Sequence, residues 1–312
     1  MIDITLQNLE AELVTASIAQ PVLLDIWAPW CGPCRTLGPL LEKLEVAYAG
    51  RFKLAKLNSD DQPEIAGQLS QSFGVRSIPF CVLFKGGQPV DGFVGAQGES
   101  EIRAFLDRHL PSPAELEAET EVDEAEALAA EGDTDAALAK LHQALAIDPA
   151  NDVARLDCVK LLLERGDGDA AAEIFAPLAP QAMVDLRIAA FGHWVSAWRD
   201  SVSADATALA TALAANKRDF DARFALAQVH FAQGHFVPAM DELLEIILRD
   251  KGWRDELARK TYVAVLEVMT KPPPKPAAGV PKGTLELTGK SVVAAGDPVL
   301  DQYRRKLSMA LF

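Results

Sequence analysis

Three glycines, Gly132, Gly166 and Gly234, are separated by 34 and then 68 residues, one period and then two. A chain built on such a period folds as stacked copies of one small unit, because no copy can bury its apolar face alone. Ala137, Ala171 and Ala239 repeat the spacing, and so do Leu141, Phe175 and Leu243. The surrounding sequence is rich in alanine, has apolar residues at helical spacing and carries no strand pattern, so the copies are expected to be helical. The skipped phase falls at Asp200, Asp205 and Leu209, a degenerate copy between better ones, and Pro149 closes the first copy.

The period resembles the tetratricopeptide repeat, in which small residues let paired helices pack closely and a glycine ends the first helix of each pair. About four helical pairs over 114–270, the third degenerate, are expected on this basis. Stacked pairs expose a concave surface suited to extended or helical peptides. Phe191, Trp194, Trp198, Phe224, Phe231, Phe236 and Trp253 are expected mainly in the core of this array.

The repeats occupy only the middle of a 312-residue chain, and charge marks their limits. Residues 1–110 hold 9 basic and 13 acidic side chains, residues 111–270 hold 14 and 29, and residues 271–312 hold 7 and 3. Pro111-Ser112-Pro113 and Lys271-Pro272-Pro273-Pro274-Lys275-Pro276 fall at the same boundaries. The division is therefore 1–110, 114–270, a Pro/Gly/Lys-rich linker over 271–296 with a short candidate strand at Thr284–Leu287, and an amphipathic helix over 297–312. A net charge of −15 argues against a nucleic-acid binder or a protein held on anionic lipid. Four cysteines are too few for a disulfide-dense secreted scaffold. Met1-Ile2-Asp3-Ile4 has neither the basic nor the apolar region of a secretory signal, and no apolar run nears the ~18 residues that cross a bilayer. A soluble, cytoplasmic protein is expected.

The first 110 residues alternate strand and helix signals. Val22–Trp27, Phe52–Leu57, Cys81–Lys85 and Pro89–Val94 read as strands, the last two joined at Gly86-Gly87 as a hairpin. Cys34–Ala49 (kinked at Pro39), Pro63–Ser72 and Glu99–His109 read as helices. Parallel βαβ units closed by a hairpin make a compact α/β domain.

Trp30-Cys31-Gly32-Pro33-Cys34 lies between a buried strand and a helix start. Two intervening residues let the thiols close a ring across one helical turn, and the unpaired N–H groups of the helix start stabilise a thiolate. Cys31 is expected to be the exposed nucleophile and Cys34 the resolving thiol. Pro33 suits the first turn, where its missing N–H is not needed. Asp25 is the one charge within Val22–Trp27, so burial should raise its pKa. A buried acid near Cys34 can take the resolving proton and return it. Lys56 on the neighbouring strand is its expected partner. A zinc site is the competing reading, but no second Cys pair or His-x-x-x-His supplies the remaining ligands. No metal or cofactor is expected. Cys81 and Cys158 read as buried, hydrophobe-like thiols, with a regulatory role left open for Cys81, which is near the active site in sequence, and the five histidines share no ligand spacing.

Residues 1–110 resemble thioredoxin at Asp25, Trp27, Trp30 through Cys34, Pro39, Ala55-Lys56-Leu57-Asn58, Gly74-Val75-Arg76-Ser77-Ile78-Pro79 and Val94-Gly95-Ala96. The resemblance implies a cis Pro79 against the disulfide, the backbone of Ile78 pairing with a substrate strand, and a groove bounded by Ser77, Ile78, Pro79 and Gly95. Phe80 replaces the usual Thr and Ser77 the usual Gly, changes expected to enlarge side chains near that groove.

An α/β thioredoxin-like domain followed by an all-α tetratricopeptide-like helical repeat domain resembles the YbbN/CnoX chaperedoxin family. Lys85-Gly86-Gly87-Gln88-Pro89-Val90-Asp91-Gly92-Phe93 and Tyr303-Arg304-Arg305-Lys306-Leu307 are close to its pattern, and the stretch Lys271–Pro298 departs from it as an insertion. The resemblance implies a cytoplasmic, monomeric holdase that binds unfolding or oxidised clients and passes them to GroEL, with DnaK a further partner and a thioredoxin-reductase-like electron donor. It also implies docking on GroEL through the C-terminal helix at Leu300, Tyr303, Arg304, Arg305, Leu307 and Leu311, which competes with a role for that helix as the cap of the last repeat. A second class stays open: a dedicated disulfide reductase whose repeats recruit one redox partner.

Overall fold

The computed structural model describes residues 2–270 and 297–311. The linker assigned to 271–296, with its candidate strand, lies outside the described residues. The chain divides into two compact units, the first ending at Ser112 and the second beginning at Pro113.

The first unit is a five-stranded sheet in the order β1-β3-β2-β4-β5. Its strands are β1 (Ile2–Asp3), β2 (Val22–Trp27), β3 (Lys53–Asn58), β4 (Phe80–Lys85) and β5 (Gln88–Val94). β1, β3 and β2 run parallel, whereas β4 pairs antiparallel with both β2 and β5. A π-helical segment, Glu10–Thr15, runs into the one-turn helix α1 (Ala16–Ala19), followed by α2 (Gly32–Ala47), α3 (Pro63–Phe73) and α4 (Glu99–His109). The sequence pattern missed β1 and the turns over 10–19, since a two-residue strand and a helix of so few residues leave no measurable period.

β2 is the middle strand, and Val22 through Ile26 are all buried because both faces of the sheet are covered. Leu23, Leu54, Cys81 and Leu83 join a core with Leu37, Leu41 and Leu44 of α2 and with Ile102, Phe105 and Leu106 of α4. Leu24, Ile26, Phe80, Val82 and Phe84 belong to the opposite face, with Ile65 and Ala66 of α3. Strand alternation therefore assigns each central side chain to one of two cores. Pro39 lies inside α2, which continues through it to Ala47.

The second unit is entirely helical among the described residues. The helices follow one another as α5 (Pro113–Ala130), α6 (Thr134–Ile147), α7 (Asp152–Arg165), α8 (Gly168–Phe175), α9 (Leu186–Ser201), α10 (Ala206–Ala215), α11 (Phe220–Ala232) and α12 (Phe236–Arg249); α5 packs on α6, α7 on α8 and α11 on α12, while α9 and α10 both pack on α11. A 3₁₀ stretch, Ala176–Met183, extends α8, and α13 (Trp253–Met269) and α14 (Pro298–Leu311) complete the unit. Gly132, Gly166 and Gly234 have φ of 88°, 83° and 71°, the left-handed backbone that lets the chain leave one helix and bond back to it.

The period is also written in side chains. Asn151, Asp185 and Asp219, each 34 residues apart, cap α7, α9 and α11 by accepting the N–H of Ala154, Ile188 and Ala222 at 2.9, 2.9 and 3.0 Å. Arg155 donates to the Pro149 carbonyl at 2.6 Å and to the Ile174 carbonyl at 3.2 Å. Two periods later, Arg223 donates to the Lys217 carbonyl at 3.1 Å and pairs with Glu242. One period before Arg155, Glu121 occupies the equivalent place and pairs with Lys140 at 2.8 Å, the same link with its charges reversed. The third copy keeps its first cap, Asp185, in phase. Its second cap is Asp205 rather than the phase residue Ser201, so α10 starts four residues late and is correspondingly short.

Aromatic side chains fill the middle of the array. Trp194 is fully buried, stacks on Phe231 with centroids 5.9 Å apart, and meets the edge of Phe236 at 5.4 Å. Gly168 opens α8 where α9 passes closest: a Cβ there would lie 2.0 Å from Cδ2 of Trp198. Gly168→Ala is therefore expected to destabilise the repeat unit by about 2 kcal/mol through overpacking, read from chemical denaturation of the full chain.

α14 packs on α12 and α13. Leu300, Tyr303, Leu307 and Ala310 are buried there, Tyr262 donates to the Tyr303 carbonyl at 2.9 Å, and Tyr303 donates to Asp241 at 2.8 Å. Of the two competing roles for this helix, docking or capping the last repeat, its packing is that of a cap, with Leu300, Tyr303 and Leu307 covered within the unit. An amphipathic pattern records that a face is covered and does not record by what. Arg304, Arg305 and Met309 point outward, and Leu311 is half-buried.

Candidate active site

Cys31 and Cys34 are joined by a disulfide, with Cα atoms 5.3 Å apart, at the point where β2 hands over to α2. Cys31 is the N-cap of α2: its backbone is extended, and its Sγ accepts the Cys34 N–H at 3.2 Å. Pro33 sits in the first turn of the helix. Gly32 and Pro33 are exposed, and Trp30 beside them is 69% exposed. The Trp30 indole N–H donates to the Asp60 carboxylate at 3.0 Å, which orients the ring at the rim.

The two sulfurs do not differ in exposure as expected. Cys31 is 3% and Cys34 4% exposed, and both pack with Ala28, Trp27 and Ile78. The distinction between the thiols lies in the helical N–H aimed at Cys31 Sγ, a donor that favours a thiolate on that atom.

The Ile78–Pro79 bond is cis. Pro79 is buried, Ile78 half-buried and Ser77 exposed, and Gly95 donates its N–H to the Pro79 carbonyl at 2.8 Å, tying the ends of β4 and β5 together. Phe80 corrects the groove expectation. It is 2% exposed and belongs to the opposite core, edge-on to Phe73 at 5.5 Å, because strand alternation turns it away from the disulfide face.

Asp25 is 1% exposed, on the face of β2 covered by α2. Its register partners are Lys56 on β3 and Cys81 on β4, so Lys56, Asp25 and Cys81 form a row across three strands. Burial pushes the carboxyl up to about 6, against the opposing pull of the Lys56 charge and of a hydrogen bond from Cys81; Glu42 adds a smaller upward push. The Lys56 ammonium makes its ion pair with Glu42 of α2 rather than with Asp25, and its influence on Asp25 is exerted through space. Cys81 Sγ donates to Asp25 Oδ1 at 3.8 Å.

Glu42 is the neighbour of Asp25 that sequence reasoning missed, and Cys81, for which the sequence leaves a regulatory role open, faces Asp25 directly. Glu42 carries a helical signal, lying eight residues after Cys34 on α2. Cys81 is recoverable from strand parity, as the second residue after Pro79 on a strand beside β2. Cys158 is fully buried in the repeat core, and burial pushes its thiol up to about 12. Among the described residues, no group of three or more His, Cys, Asp or Glu side chains could hold a metal ion. Also among these residues, no helix is long and apolar enough to cross a membrane.

A cysteine pair closing a ring at the start of a helix that covers the sheet face burying a carboxyl is equipped for thiol–disulfide exchange. Residues 1–108 match the thioredoxin family, and residues 128–191 and 199–277 each match tetratricopeptide repeat families. Thioredoxin 1 of Nostoc sp. is 46% identical over 90 residues, which cover 29% of this chain and 80% of that protein. Thioredoxin 1 of Synechococcus elongatus is 41% identical over 107 residues, 34% of this chain and 94% of the relative. The thioredoxin of Chlorobaculum thiosulfatiphilum is 44% identical over 104 residues, 33% and 91% of the two chains. With its disulfide at the head of α2 and its phased helix pairs behind, the chain belongs to the thioredoxin family, as a thioredoxin domain followed by tetratricopeptide repeats in the manner of the YbbN/CnoX fusions.

Proposed function

We propose that the protein is a cytoplasmic thiol–disulfide oxidoreductase joined to a holdase: the head exchanges disulfides, and the repeats bind unfolding or oxidised proteins and pass them to refolding chaperones such as GroEL. The observation that carries the redox half is the Cys31–Cys34 disulfide at the N-cap of α2, on the sheet face that buries Asp25. In the reduced protein the Cys31 thiolate attacks one sulfur of a client disulfide. That S–S bond breaks, and the departing client thiolate takes a proton from water. Asp25 accepts the proton of Cys34, whose sulfur then attacks Cys31 Sγ. The internal disulfide forms, the second client thiolate leaves and is protonated, and two electrons have moved from the cysteine pair to the client. A donor of the thioredoxin-reductase kind restores the thiols. Ser77, Ile78, Pro79 and Gly95 form the rim on which a client strand lies, and Lys56, held by Glu42, sets the local potential.

The holdase half is supported by the resemblance to YbbN/CnoX and by the stacked helix pairs, an architecture that presents extended binding surfaces. Since Leu300, Tyr303 and Leu307 are buried, docking of α14 on a chaperonin would use Arg304, Arg305 and Met309 or require the helix to leave its seat. The test compares wild type with Cys31→Ser/Cys34→Ser in suppressing aggregation of an unrelated unfolding protein. Equal protection by both locates holding outside the thiols, and no protection by either rejects the holdase. Insulin disulfide reduction by wild type is the parallel check, and GroEL association after deletion of 297–312 tests the helix.

A further inference from the structure

The row across β3, β2 and β4 contains a donor that the proposed chemistry has not used. Cys81 is fully buried, directly opposite Asp25 in the antiparallel register, and its S–H points at Asp25 Oδ1 from 3.8 Å. Lys56 approaches from the other side but gives its ammonium to Glu42. The charged and titratable groups around Asp25 are thus Lys56 from β3, Glu42 from α2 and Cys81 from β4, with the Cys31–Cys34 disulfide heading the helix packed over this face.

A thiol in this position keeps its proton. Burial comes first among the causes, followed by the Asp25 charge and the hydrogen bond itself, and together they push the Cys81 thiol well above its ordinary range. A donor that cannot ionise favours the charged state of the carboxylate it faces, and its bond weakens once the carboxyl is neutral. An apolar residue in the same place would fill the core and leave Oδ1 without this support.

We propose that Cys81 is a positioning residue of the proton relay: its thiol fixes Oδ1 of Asp25 and favours the ionised carboxylate that receives the Cys34 proton. The role rests on the reading of Asp25 as the acid–base group. It separates Cys81 from Cys158, which is equally buried but belongs to the repeat core.

The test is a ¹³C NMR titration of the Asp25 carboxyl in the oxidised full-length protein. Cys81→Val should raise the midpoint by about half a pH unit or more, the scale of one net hydrogen bond to a carboxylate. Cys81→Ser, which supplies a stronger donor, should restore the wild-type midpoint or lower it. The pH profile of insulin reduction should move with the midpoint in each variant. Unchanged midpoints, or equal shifts in both variants, would overturn the hydrogen-bond role. If the midpoints shift as expected while Asp25→Asn reduces insulin at the full rate, the acid–base reading fails and the relay role falls with it. Should Cys81→Val not fold, the S–H infrared band of oxidised Cys158→Ala isolates Cys81, since these two are the free cysteines. That band should change frequency as Asp25 is protonated, and a band indifferent to pH rejects the proposal.

Discussion

Cys31→Ser is expected to lower insulin disulfide reduction by roughly a thousand-fold or more, the scale seen when an enzyme loses its nucleophile. Cys34→Ser should fail differently. The first exchange remains possible, because Cys31 keeps its place as the N-cap of α2 and the N–H of residue 34 still points at its sulfur. The mixed disulfide then has no resolving thiol, so client protein should remain attached through Cys31 and appear as a covalent adduct in non-reducing electrophoresis. Exposure alone does not predict this asymmetry, since the two cysteines are 3% and 4% exposed in the oxidised protein. Position on the helix does, because only the first cysteine stands outside the helical ladder with a free amide aimed at it. Adducts of equal yield through Cys34 in the Cys31→Ser protein would reject the assignment.

The chemistry at the helix start was readable because it is local. Trp30 through Cys34 and the lone Asp25 of β2 lie within ten residues, so strand, turn and helix signals alone bring them together. The second layer is not local. Lys56 does face Asp25 in the register, yet its ion pair goes to Glu42 of α2, the helix that crosses this face. Which residue of a covering helix reaches a given strand position depends on its rotation and crossing, and hydrophobic period specifies these only coarsely. Phe80 and Cys81 differ for a simpler reason: alternation along β4 sends one to each core, so nearness to Pro79 in the sequence does not place a side chain on the disulfide face.

In the repeats, glycine and alanine phases mark the helix pairs, but the ties that hold successive copies in register change chemistry from copy to copy. Glu121 with Lys140, Arg155 with two carbonyls, and Arg223 with Glu242 occupy equivalent positions without sharing residue types. A search for identity passes over them. Helix α14 poses the complementary problem, because its apolar face looks the same in sequence whether it meets a partner or α12 and α13.

Asp25→Asn is expected to remove a pH dependence of stability worth about 3 kcal/mol in the oxidised protein. The folded carboxyl titrates at about 6, against 3.8 for its ordinary value. Its folded pKa is raised, so the native state binds more protons than the unfolded chain between these two values. Unfolding free energy must therefore fall as pH rises through that window, with the full penalty present above about pH 7 and absent below about pH 4. Asn cannot ionise, and its stability difference from wild type should grow by about 3 kcal/mol from pH 4 to pH 8. Asp157 in the repeat unit is also pushed up to about 6 by burial, but it is present in both proteins and cancels in the comparison. Native-state hydrogen exchange of β2 and β3 amides reads the first unit directly. Parallel pH curves for the two proteins would overturn the buried-carboxylate account. Under the proposed relay, the penalty falls where the chemistry needs it. At neutral pH the carboxylate is ionised and able to accept a proton, yet its midpoint is close enough to neutrality for the proton to return within a catalytic cycle. A residue chosen for stability alone would be apolar here, as its neighbours Leu24 and Ile26 are.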